Sequence, residues 1–122
     1  MPWLCIELQF RVDPFGDLVV LGSGIIHNGT TLERLPVALS NAFDDAAFAG
    51  SGIRTVRNMP DSVVQLQDWT LHSLEAQYTI ELSGHHAHRL LTLNESTTLA
   101  VTTDSRGVPA FHIIGEDFAL VQ

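Results

Sequence analysis

At 122 residues, 45% of them hydrophobic, the chain has the size of one domain that can bury a core without disulfides or a structural metal. Its formal charge is −8 and its six basic residues are all arginine, a balance that opposes phosphate backbones and anionic lipid; it excludes nucleic acid and leaves a protein as the expected macromolecular partner. No apolar run approaches the roughly 20 residues that cross a bilayer, so no membrane span is expected.

Ile6, Leu8, Phe10 and Val12 alternate with Glu7, Gln9 and Arg11, the period-2 pattern of a strand with one buried face. Asp13-Pro14-Phe15-Gly16 reads as a turn. Residues 18–21 and 24–27 predict one strand, bulged by Gly22 and Gly24 and ending at Asn28-Gly29, where a type I′ turn would place both residues at positive φ. A strand over residues 31–39 should pair back, with Pro36 forcing it to an edge or a bulge. Asn41, Asp44, Asp45, the following alanines and Gly50 predict one short helix, capped by asparagine and stopped by glycine.

Residues 50–60, with glycine, proline and two arginines, predict an exposed loop. Residues 63–72 suit a strand, although Ser62 and Gln65 also form a capping-box pattern. Tyr78, Ile80 and Leu82 alternate with Thr79 and Glu81 in a further strand ending at Ser83-Gly84. Residues 97–103 and 108–114 predict a second hairpin across Asp104-Ser105-Arg106-Gly107. About seven short strands and one short helix make the expected fold mainly β, an antiparallel barrel or sandwich forming one domain over residues 1–122, with α+β as the alternative.

The most unusual local feature is Gly84-His85-His86-Ala87-His88, expected at an exposed strand end or turn. Neutral imidazole is the commonest transition-metal ligand, and on a strand His86 and His88 share a face, so His85, His86 and His88 are the candidate metal residues. Further ligands would have to come from Glu81, Glu95, His72 or His112. The His-x-His pattern of cupins needs a glutamate sooner than Glu95, and the match fails. Gly22-Ser23-Gly24 has neither the third glycine nor the helix of a dinucleotide fingerprint, and reads as a bulge. With no lysine there is no Walker loop, and no G-x-S-x-G elbow occurs. No catalytic or cofactor-binding residue is assigned; a transition metal is the one cofactor the pattern offers. Cys5, the single cysteine, reads as a small hydrophobe and points to a reducing, cytoplasmic location, and the first ten residues carry no recognisable secretion signal.

The stretch 15–39 resembles the opening hairpin of the second-domain β-barrel of elongation factor Tu and related translational GTPases. That family runs an apolar strand into a Thr-Gly-x-Val-x-x-Gly-Thr turn, and Ser23-Gly24-Ile25-Ile26-His27-Asn28-Gly29-Thr30 stands in the same register, with Val37 and Leu39 at the next inward-facing pair. Residues 72–75 and the strand to Leu82 echo a later part of that barrel. The resemblance implies a barrel fold and no site residues; the GTPase domain is absent, and Arg34-Leu35 replaces the family's Gly-Asp.

These features together suggest a small acidic protein-interaction module without catalytic activity, in its sharper form an immunity or inhibitor protein that neutralises a basic toxin. The alternatives are a metal-dependent β-barrel enzyme or metal-binding protein using the histidine cluster, and a homo-oligomer paired through strand edges.

Overall fold

A strand covered on one face alternates apolar and polar residues, whereas a strand covered on both loses that alternation. Both kinds occur in this chain. The computed structural model describes residues 10–12, 16–49, 52–70, 74–115, 118 and 120–121. Among them are twelve strands: β1 (Phe10–Val12), β2 (Leu18–Leu21), β3 (Ile25–Asn28), β4 (Arg34–Ala38), β5 (Asp45–Ala49), β6 (Gly52–Met59), β7 (Val63–Thr70), β8 (Ala76–Ser83), β9 (His85–Thr92), β10 (Thr98–Asp104), β11 (Pro109–Ile114) and β12 (Leu120–Val121). They form three antiparallel four-stranded sheets: sheet A (β1-β2-β3-β4), sheet B (β5-β6-β7-β8) and sheet C (β12-β11-β10-β9). The chain is therefore mainly β, and none of the three sheets closes on itself as a barrel.

Sheet B is the middle layer. On one of its faces Ala46, Phe48, Ile53 and Trp69 pack with Val20, Ile26 and Leu39 of the sheet A side; on the other, Ala47, Val56, Val64 and Leu66 pack with Ala87, Leu90, Ala100 and Ile114 of sheet C. This double cover accounts for two departures from the sequence expectation. The short helix expected around residues 41–50 is absent among the described residues, and residues 45–49 are strand β5, buried throughout. Its alanines fill thin space between layers and do not signal helix. The exposed loop expected over residues 50–60 is mostly β6, whose first five residues are buried. Gly52 there faces the Trp69 carbonyl so closely that a Cβ would lie 2.1 Å from the oxygen. The glycine is a packing residue.

The Asn28-Gly29 turn also differs. Gly29 is not among the positive-φ residues; the left-handed position is Leu32, at φ 63°. Asn28 Oδ1 accepts from the Thr30 and Thr31 amides at 2.8 and 2.9 Å, and the Leu32 amide donates to the Asn28 carbonyl at 2.8 Å, which builds a wider loop into β4. Glycine is needed at 29 for close approach, because a Cβ would lie 1.8 Å from the Gly16 carbonyl oxygen. Pro36 behaves as expected: β4 is the outer strand of sheet A, and its ladder to β3 is broken between the pairs Ile25–Ala38 and His27–Arg34. The hairpin expected across residues 104–107 is present, with Thr103 paired to Pro109, Gly107 at φ 81° and the Asp104 carboxylate accepting from the Arg106 and Val108 amides.

Candidate functional site

The expected metal residues lie on β9, which is a strand with Ala87 in the core and not an exposed turn. Thr102 pairs with Ala87 and Val101 with Arg89, so His88 is the extra residue of a β-bulge. The bulge lets Ala87 and Leu90, three positions apart, both face inward, and it splits the histidines. His86 and His88 lie together on the outside, with ring centroids 5.1 Å apart, and His88 Nε2 sits 3.0 Å from Thr103 Oγ1. His85 faces the other way, against His112, at a centroid distance of 5.3 Å. Among the described residues no group of three or more His, Cys, Asp or Glu is placed to hold a metal ion. Cys5 and His72 lie outside the described residues.

Between His85 and His112 stands the buried Thr102 hydroxyl, 3.0 Å from His85 Nδ1 and 3.1 Å from His112 Nε2. A hydroxyl carries one proton, so it donates to one ring and accepts from the other. Burial, and then the charge on His85, hold the His112 pKa below its ordinary value. This end of sheet C borders a cleft of about 180 Å³ lined by Asn58, Ser62, His85, His86, Asp104 and Ser105.

Two further features stand outside the sequence expectation. The first is the seam where β5 meets β9, closed by side chains instead of a backbone ladder. Asn58 of β6 pairs with both backbone groups of Ala87, accepting from its N–H at 2.7 Å and donating to its carbonyl at 3.2 Å. The buried Asp45 accepts from the Leu90 amide at 2.8 Å and pairs with Arg11 of β1 at 2.6 Å and Arg89 of β9 at 3.6 Å. Arg11 also donates to the Ala46 carbonyl, and Thr92 to the Phe48 carbonyl. One carboxylate thus ties together one strand from each sheet. Between β1 and β9 the seam opens into a groove of about 250 Å³, with Ala46, Ala47 and Phe48 lining it alongside Val12 and Leu91, and the two arginines beside them.

The second feature is the outer face of sheet C. The pairs Val101–Phe111, Leu99–Ile113 and Leu99–Leu91 place five apolar side chains side by side across three strands. Phe111 is 65% exposed, Ile113 39% and Leu91 37%, and the half-buried Leu99 and Val101 lie between them. Among the described residues, Arg89, His86 and His88 border this face along β9. The sequence did hold a clue: residues 110–114 are apolar on both alternating sets except for His112. One face of β11 meets the core, and the other is left outside.

A scan against protein-family models and a search of curated proteins find no match to this chain. Among the described residues no helix is long and apolar enough to cross a membrane.

Proposed function

We propose that this chain is a protein-interaction module that docks its partner on the outer face of sheet C. The observation that carries the reading is the contiguous apolar face of Phe111, Val101, Ile113, Leu99 and Leu91. Water-exposed apolar surface gathered in one patch is unfavourable unless something covers it, and an exposed aromatic such as Phe111 is a usual anchor of an interface. The rim favours a partner with acidic as well as apolar groups, because Arg89 is 59% exposed there. The immunity or inhibitor form of the reading calls for a basic partner; among the described residues the exposed acids Asp17, Glu33, Asp44, Asp61, Glu75 and Glu81 lie in sheets A and B or their connections, and Glu95 lies in the β9–β10 connection of sheet C.

Affinity capture from the native cell extract, run in parallel with wild type, Phe111→Glu and Val37→Glu, tests the docking face. Val37 is an exposed apolar residue of sheet A and serves as the control. A protein held by wild type and Val37→Glu and lost by Phe111→Glu is the expected result. The same proteins on all three would overturn it.

A further inference from the structure

We infer that the groove between β1 and β9 receives from the partner protein a carboxylate flanked by an apolar side chain. The inference rests on the docking reading above, because Arg89 and Leu91 belong both to the groove and to the outer face of sheet C. Two guanidiniums converge on one buried carboxylate, Asp45, which leaves the group with one net positive charge. Among the described residues, none of the side chains lining the groove is acidic, in a chain with fourteen acidic residues against six arginines.

Arg11 is already fixed, through Nε to the Ala46 carbonyl and through Nη2 to Asp45. Arg89 meets Asp45 through Nε, and with 59% of its side chain exposed its Nη groups can turn to a ligand. A planar guanidinium suits a carboxylate, and the apolar lining from Val12, Phe48 and Leu91 strengthens a charge-assisted hydrogen bond by excluding water. A phosphate dianion or a polyanion is a poorer match to a single net positive charge inside a molecule of charge −8. At about 250 Å³ the groove has room for one or two side chains and anchors a segment without enclosing it.

The test uses the ¹⁵N-labelled full chain and two blocked tripeptides, Leu-Glu-Leu and Leu-Gln-Leu, followed by amide chemical shifts. Saturable shifts at residues 46–48 and 89–92 with the glutamate peptide are expected, and at least about tenfold weaker binding of the glutamine peptide. Arg89→Gln should bring the glutamate peptide down to the level of the glutamine one, while Arg89→Lys keeps part of the difference. Equal affinity of the two peptides, shifts centred elsewhere, or no saturable shift at millimolar peptide would overturn the inference. The two readings fail separately. Partner loss in Phe111→Glu without peptide discrimination removes the groove and keeps the face; discrimination without partner loss removes the face and keeps the groove.

Discussion

At the scale of single residues, the same sequence signal can act through a different physical cause. Gly29 is constrained by the Gly16 carbonyl and not by its φ, and this changes which substitution is harmful. Asparagine adopts the left-handed region readily and would be tolerated in a type I′ turn. Here Gly29→Asn should cost about 1–3 kcal/mol, as overpacking does, read as a shift in the denaturant midpoint. An unchanged midpoint would restore the type I′ turn. His112 gives a pH-dependent prediction. Its folded pKa lies below the ordinary imidazole value of about 6.5, so the unfolded chain binds the proton more readily. This contribution to stability is present above that value and is lost as pH falls through the imidazole range toward the lowered folded pKa. Asp68 acts in the opposite sense in the carboxylate range, since burial outweighs Arg54 and raises its pKa. Thermal melts should therefore show His112→Gln with a shallower loss of stability between neutral and mildly acidic pH than wild type. An identical slope would contradict the assignment.

At the scale of elements, the boundary between what was legible and what was not follows burial. The hairpin of β10 and β11 was readable because Asp104 and Gly107 carry their turn chemistry locally. β7 and β8 were readable from their composition and alternation. β5 and β6 were not, because cover on both faces removes the alternation, and because Arg54 is a charge that belongs to the interior. Arg54 spans from sheet B to the Thr98 hydroxyl and to the carbonyls of Ile114 and Gly115, with Phe118 beneath its guanidinium. Two arginines in a glycine-containing stretch look like loop until that partner set exists. The histidines were legible as a cluster but not as two separate pairs, since a bulge at His88 depends on what β10 offers across the ladder. The seam was illegible for a related reason: Asn58, Asp45 and Arg89 are far apart in the chain. Its contribution can be measured. Asn58→Leu strips both backbone groups of Ala87 of their partner and should cost about 1–3 kcal/mol, with faster amide exchange at Ala87. Unchanged exchange there would mean that the edge of β9 is sealed by something else.

At the scale of the whole molecule, three layers give the middle sheet two cores and leave the outer faces of sheets A and C to water or to partners. Overall charge, read from composition, pointed to a basic partner. Its distribution points elsewhere, because the apolar face is bordered by Arg89, His86 and His88 along β9, while among the described residues all exposed acids but Glu95 lie on the other two sheets or their connections. The central claim is that sheet C is the docking face, and site-specific photo-crosslinking in the native cell tests it most directly. Benzoylphenylalanine at position 111 should give a discrete adduct with a second protein, and the same group at position 37 should not. Adducts of equal yield from both positions, none from position 111, or only a dimer of this chain would contradict the claim.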